Sequence, residues 1–274
     1  MIKWPFGRKA VPDPNAKVLR LTRLPAAIYA IGDVHGCLSL LQQLEQEIAE
    51  DGAVVPGPKL LVCLGDVVDR GPQSAAVLDH LLAPVPSGFQ RVVLQGNHES
   101  MMEQFLDPAQ RNMRWLSYGG DATLASYGLS PETEGGFADD GSALDHKLKS
   151  AIPPEHRRFL AGLPCGLEIG RYRFAHAGYD LGTPAENQHK DRLIWGPPEN
   201  CDNYRGDQIL IHGHVPTNDI AYGTTRINID LGSYSTGRLA AIRIDPETGE
   251  TKEFIVSNEA PMRGRGTEQQ DASE

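Results

Sequence analysis

Runs of branched apolar residues alternate with polar segments of helical period through the first hundred positions of the chain. Residues 26–31 (AAIYAI), 60–64 (LLVCL) and the start of 91–100 (RVVLQGNHES) are each apolar without alternation, the pattern of a strand buried on both faces. Between the first two, residues 38–50 (LSLLQQLEQEIAE) place Leu38, Leu41, Leu44 and Ile48 on one side and Gln and Glu on the other. Residues 74–82 repeat this on a smaller scale, so two amphipathic helices are predicted as crossovers between parallel strands. The Gly52, Pro56, Gly57, Pro58 cluster marks the turn that follows the first helix.

The character changes after residue 100. Helical stretches at 101–105 and 144–152 flank a Gly- and Asp-rich loop at 133–141, and the segment 100–163 is predicted to be an insertion over the active-site edge. Two roles stay open for it, a loop that shapes specificity and a helical buttress. From residue 168 short strands dominate: 168–175, 209–211, 225–230, 239–245 and 253–256. Residues 228–230 and 239–245 read as an antiparallel pair, which predicts a mostly antiparallel sheet from the second half. One domain is expected over 26–256, with an extended arm at 1–15 and a disordered polar tail at 257–274.

Three of the apolar runs lead into glycine and then chemistry, and two later ones put a His just past the run. The junctions read GDVHG (32–36), GDVVDRG (65–71) and GNHE (96–99), and two later ones read HAG (176–178) and HGH (212–214). Asp33, Asp66 and Asn97 are about 30 residues apart, the length of one strand–helix–strand unit. Three such units bring the junctions to one sheet edge, where open α/β sheets bind ligands. Alone, an Asn or His behind a strand is an ordinary loop residue. Together, Asp33, His35, Asp66, Asn97, His176 and His214 form a mixed oxygen and nitrogen set suited to two metal ions.

Composition narrows the partners. A formal net charge of −10 over 274 residues disfavours nucleic acid and anionic membranes, which need clustered Lys and Arg, and suits a site that loads cations. With 40% hydrophobic residues and a mean hydropathy of −0.36, the chain reads as soluble and globular. Cys37, Cys63, Cys165 and Cys201 show no C-x-x-C spacing, so reduced thiols and a cytoplasmic location are expected. Residues 1–24 hold no apolar run of signal-peptide length.

In this order, the five motifs resemble the signature of the phosphoprotein phosphatase branch of the calcineurin-like metallophosphoesterases, most closely its small bacterial members. The resemblance spans residues 28 to about 244. It implies an α/β fold, a β-sandwich of two mixed sheets flanked by helices. It also implies that Asp33 and His35 hold one metal, Asn97, His176 and His214 a second, and that Asp66 bridges them, with Mn2+ as the expected ion and Fe or Zn as other options. The implied chemistry is in-line attack on phosphorus by a hydroxide that the two metals activate. His98 would be the general acid, Asp69 its orienting partner, and Arg70 a fork for the phosphate oxygens.

One departure stands out. Many bacterial members carry a second phosphate-binding Arg shortly after a Trp, whereas here Trp195 is followed by Gly196, Pro197 and Pro198. Arg205 is taken as its substitute and Arg192 as the fallback. The implied function is serine/threonine phosphoprotein phosphatase, extending to tyrosine phosphate, with a phosphorylated protein or peptide as partner. The alternative is a symmetrical dinucleoside tetraphosphate hydrolase, which typically lacks the Asp of DRG and reads GNHD. A non-catalytic adaptor is the remote third reading, disfavoured because buried carboxylates and imidazoles are costly to keep without metal.

Overall fold

A computed structural model of the chain describes residues 17–129 and 141–258. The expected arm at 1–15, the loop at 133–140 and the tail beyond residue 258 lie outside the described residues.

The three apolar runs form adjacent strands of a five-stranded sheet, the third of them at its edge. Strand β2 (Ala27–Ile31) pairs in parallel with β3 (Lys59–Cys63), and β3 with β4 (Phe89–Val93), so that Ile31, Cys63 and Val93 lie in register beside their carboxyl ends. Helices α1 (Leu38–Ala53) and α2 (Ser74–Leu82) make the two crossovers. On α1 the buried face is Leu40, Leu41, Leu44 and Ile48, with Leu38 half-buried at its start. A hairpin, β10 (Arg238–Ile244) and β11 (Thr251–Ser257), extends this sheet antiparallel to β2.

A six-stranded sheet faces it in the order β1 (Val18–Leu21), β5 (Gly166–Ile169), β6 (Tyr172–Ala175), β7 (Ile209–His212), β9 (Arg226–Asn228), β8 (Ala221–Tyr222). Ile28, Ala30, Leu60 and Val62 of the first sheet meet Leu167, Phe174, Ile211 and Ile227 of the second in one buried cluster. The opposite face of the five-stranded sheet, with Tyr29, Ile31, Leu61 and Cys63, lies on the helices. Burying both faces of β2 and β3 explains why they read as unbroken apolar runs. The expected sandwich of two mixed sheets flanked by helices is the observed architecture.

Three local expectations are corrected. Residues 168–175 are not one strand but the hairpin β5–β6, which turns at Gly170 in a left-handed conformation (φ 52°). Residues 228–230 do not pair with 239–245. β9 and β10 lie in different sheets, and the chain passes between them through the short helix α8 (Ser233–Thr236), bracketed by Gly232 (φ 66°) and Gly237 (φ 68°). The second-half sheet is mixed rather than mostly antiparallel, since β1–β5, β6–β7 and β7–β9 are all parallel.

Over its described residues the insertion is mainly helical. It comprises α3 (Asn97–Leu106), a turn at Leu116–Gly120, α4 (Asp121–Ser126), α5 (Gly141–Ala151) and α6 (Pro154–Gly162). The second half adds α7 (Lys190–Trp195), whose Leu193 and Ile194 cover the outer face of the six-stranded sheet at Leu210 and Ala175. Among the described residues, no helix is long and apolar enough to cross a membrane.

Two glycines let the β3 and β4 junctions touch. Gly65 has φ 99°, and a Cβ there would sit 2.5 Å from the Gly96 nitrogen, while a Cβ on Gly96 would overlap Asp66 Oδ1. Gly65→Ala should therefore cost roughly 3 kcal/mol, combining a left-handed penalty with a forced backbone shift. A thermal melt should fall by about 6–12 °C, and a Tm within about 2 °C of wild type would show that these junctions can separate without penalty.

Candidate active site

The strand ends converge. The non-glycine residues with positive φ among those described are His35 (44°), Asp66 (48°), Asp69 (73°), Arg70 (67°) and His214 (74°), all at the motif junctions. Such backbone costs of order 1–3 kcal/mol per residue and persists only where its surroundings enforce it.

Glu99 supplies much of that enforcement. Fully buried in the first turn of α3, its carboxylate accepts the N–H groups of Gly96 (2.8 Å), Asp66 (2.8 Å), Val67 (2.7 Å) and Val68 (3.2 Å). One side chain thus ties the β3 junction to the β4 junction and fixes the backbone of Asp66. Burial, then the Asp66 carboxylate, push its pKa up to about 7, while the Gly96 N–H favours its ionised form. The sequence reading used Glu99 only to tell one motif variant from another. Its position three residues into a helix behind a glycine was the available signal, because a Glu there reaches back to the helix's first N–H.

Around Asp66 the acceptors outnumber the protons. Asp66 Oδ1 accepts the His98 N–H (3.0 Å), leaving Oδ2 facing His176 Nε2 (3.2 Å), His35 Nε2 (3.6 Å) and His98 Nε2 (3.9 Å). His35 Nδ1 lies 2.9 Å from the Val68 carbonyl and His176 Nδ1 3.2 Å from the Leu64 carbonyl. A carbonyl only accepts, so both Nδ1 atoms carry a proton and both Nε2 atoms point to the centre, where a bound cation would take their lone pairs in place of a proton. Asn97 Oδ1, His176 Nε2 and His214 Nδ1 lie within 2.9–3.1 Å of one another. Asp33 Oδ2 accepts the His214 N–H, whereas its Oδ1 is buried with no hydrogen-bond partner. Converging lone pairs and an orphaned carboxylate oxygen are what a cation resolves, and the donor set suits a borderline divalent metal.

The electrostatics carry the same strain. Burial disfavours an imidazolium at His176, but Asp66 and Asp33 outweigh it and raise its pKa to about 10. Burial and then His176 push His214 down to about 3. Asp33 is held well above the ordinary carboxylate range, by burial and then by Asp230. Asp230, which the sequence reading passed over, accepts the Gly232 N–H (2.8 Å) and is itself raised to about 6, chiefly by burial.

Two overlapping groups, His35–Asp66–His98 and Asp66–His176–His214, have ligand atoms close enough to share an ion. They share Asp66. His98 stands apart from the others because its Nδ1 is 2.7 Å from Asp69 Oδ2 and its Nε2 is 3.1 Å from Arg70 Nη2. A guanidinium can only donate, so His98 Nε2 accepts from Arg70 here and is not open to a cation, which sets the ring apart from the candidate ligands. The Arg70 guanidinium lies 4.6 Å over the ring of Tyr234, which in turn stands edge-on to His35 at 5.2 Å. Tyr234 had no motif to announce it. It is placed by its neighbour Ser233, whose hydroxyl donates to the Asp33 (2.7 Å) and Val34 (3.0 Å) carbonyls.

The two arginines near Trp195 have partners of their own. Arg205 is exposed and donates to the Asp202 and Tyr204 carbonyls of its own turn. The Arg192 side chain is nine-tenths buried, bonded to Asp180 (2.9 Å) and the Pro197 carbonyl (2.6 Å), and lies where a Cβ on Gly178 would meet it at 3.0 Å. All four cysteines are buried, and burial raises the Cys37 thiol to about 11 and Cys63 to about 12, which leaves neither a nucleophile.

The profile of the calcineurin-like phosphoesterases matches residues 26–241. The chain belongs to that family. As a calcineurin-like phosphoesterase it is 26% identical over 234 residues to the asymmetrical bis(5'-nucleosyl)-tetraphosphatase PrpE of Anoxybacillus flavithermus, covering 78% of this chain and 88% of that protein. It is 29% identical over 230 residues to serine/threonine-protein phosphatase 2 of Escherichia coli, covering 79% and 92%. The crystal structure of a proposed diadenosine tetraphosphatase superposes over 89% of this chain and 99% of that one, with TM-score 0.58 at 21% identity, a likeness of fold. Family membership makes the phosphoesterase a metal-dependent hydrolase with a two-ion centre, and Asp66, as the shared residue, fits that demand.

Replacing Glu99 tests the clamp. Glu99→Gln puts an amide NH2 against a bed of N–H donors and removes a charge-assisted bond worth about 1.5–3 kcal/mol. It should lower unfolding stability by that amount and weaken metal binding in calorimetric titration. Unchanged stability and metal affinity would remove Glu99 from the account.

Proposed function

We propose that this chain is a cytoplasmic phosphomonoesterase of the phosphoprotein phosphatase type, acting on serine and threonine phosphate and able to take tyrosine phosphate. The observation that carries the reading is the sealed Asp69–His98 pair. The alkoxide leaving from phosphoserine is a poor leaving group that needs a proton as the P–O bond breaks. A polyphosphate leaving group needs one far less. A buried, fully bonded acid is therefore equipment for the first substrate class, where general-acid catalysis contributes ~10²–10⁴-fold.

In this reading Asp33 and His35 hold one ion, Asn97, His176 and His214 the other, and Asp66 both, with Mn2+ favoured and Fe or Zn compatible with the same donors. Two such ions, when bound, supply an activated water for in-line attack and draw charge from the phosphoryl oxygens. Arg70 turns its planar fork from His98 to those oxygens, kept in plane by Tyr234. His98 Nε2, so uncovered, holds the proton for the leaving oxygen, while Asp69 on Nδ1 fixes the ring and stabilises its charge. Burial opposes protonation of His98, but Asp66 and Asp69 raise its pKa above the ordinary value.

Dinucleoside tetraphosphate hydrolysis is the second reading, favoured by the names of relatives such as PrpE. The two separate in one assay of kcat/KM on a phosphoserine peptide, a phosphotyrosine peptide and diadenosine tetraphosphate. The phosphoserine peptide should be the best substrate. His98→Ala should then cost roughly 10²–10⁴-fold on it and much less on 4-nitrophenyl phosphate. Preference for diadenosine tetraphosphate would sink the phosphatase reading. For the arginines, Arg70→Ala should lower kcat/KM by roughly ten- to a hundredfold. Arg205→Ala should stay within about twofold because its guanidinium is held on an exposed turn through Nη1. A large loss in Arg205→Ala would restore it as the second phosphate ligand.

A further inference from the structure

The step from Asp69 to Arg70 puts two successive ordinary residues in the left-handed region, and what holds them there comes largely from the insertion. The Arg70 N–H donates to the Gly119 carbonyl (3.1 Å), and the Asp69 N–H to Thr123 Oγ1 (2.9 Å) and to Ser74 Oγ (3.0 Å). Gly119 is itself left-handed (φ 105°), and a Cβ on it would stand 2.6 Å from the Arg70 nitrogen. The same segment completes the Asp69 carboxylate. Trp115 Nε1–H donates to Oδ2 (2.6 Å) beside His98, and the Thr123 hydroxyl donates to Oδ1 (2.7 Å). Asp69 and Thr123 are fully buried and Trp115 very nearly so, its ring on Phe105 at 4.7 Å.

We propose that Trp115 and Thr123 are positioning residues for the acid: they lock both oxygens of Asp69 so that His98 presents Nε2 to the leaving oxygen in one orientation. This inference rests on the phosphatase reading above. With His98 as its only donor, Asp69 would keep a buried oxygen unpaired, and the carboxylate could rotate and carry the imidazole with it. With three donors the two oxygens cannot exchange roles. As the P–O bond breaks, its electron pair stays on the leaving oxygen, which takes the proton from His98 Nε2. A neutral imidazole remains, still donating Nδ1–H to Asp69. The insertion thereby gains a third role beside the two open from sequence, since it finishes the acid.

Three variants of the metal-loaded full chain test this. Trp115→Phe keeps the ring and removes the N–H, Thr123→Val keeps the shape and removes the hydroxyl, and Thr123→Ser returns the hydroxyl. Trp115→Phe and Thr123→Val should each lower kcat on a phosphoserine peptide by roughly ten- to a hundredfold. On 4-nitrophenyl phosphate the loss should stay under about threefold at equal metal content, and Thr123→Ser should approach wild type. Equal losses on both substrates, no loss, or a Ser variant as poor as Val would overturn the positioning role. A wild type inert on phosphomonoesters but active on diadenosine tetraphosphate would instead overturn the phosphatase reading. In that case the downfield proton resonance of His98 Nδ1–H in metal-free protein still decides the inference. It should shift in Trp115→Phe and Thr123→Val, and an unmoved resonance in both would overturn the proposal.

Discussion

Four backbone N–H groups converging on the Glu99 carboxylate are the constraint from which the rest of the site follows. They come from two junctions 30 residues apart along the chain and hold them in contact, with Gly65 and Gly96 leaving the room that contact needs. Once that contact exists, Asp66 has little freedom. Its backbone is left-handed, one carboxylate oxygen is taken by the His98 N–H, and the other faces a ring of imidazoles. The sheet edge gathers carboxylate, amide and imidazole ligand atoms that its own groups do not fully pair, an imbalance that bound cations would resolve.

The proposed acid is built by a different rule. Where the candidate metal ligands are left under-satisfied, both oxygens of Asp69 are bonded, with His98, Trp115 and Thr123 as donors and two hydroxyls on its N–H. An ion site needs open lone pairs, and a proton donor needs one unvarying orientation. Both demands are met within a few residues of each other because they draw on different partners, strand junctions for the first and the insertion for the second.

How far this was legible in the sequence depends on the range of the interaction. Strands β2 and β3 announce themselves because burial on both faces leaves little place for polar residues, whereas β4 carries an exposed Gln90 and a half-buried Arg91 and is marked by its apolar end before Gly96. The candidate ligands Asp33, Asp66 and Asn97 follow as the polar residues behind a glycine. The β5–β6 hairpin was hidden because a single left-handed glycine, Gly170, is enough to turn it. The wrong pairing of 228–230 with 239–245 came from adjacency in sequence. Nothing local distinguishes a hairpin from a chain that crosses between sheets through Gly232 and Gly237. Trp115, Thr123 and Tyr234 were passed over for a related reason, since their significance lies in contacts with Asp69, Arg70 and His35, far away in the chain. Arg205 is expected at the phosphate from its motif alone, and which carbonyls its Nη1 meets, those of Asp202 and Tyr204, is not legible from that motif.

The claim that Asp66 is the shared centre of two ions, with His98 kept out of the ligand set, is tested most directly by anomalous diffraction at the metal absorption edges, on protein purified without added metal. Two peaks should appear about 3.5–4 Å apart, with Asp66 touching both, Asp33 and His35 on one side, Asn97, His176 and His214 on the other, and His98 Nδ1 still on Asp69. A single peak, or a peak bonded to His98 Nε2 with Asp33 left unligated, would contradict the account.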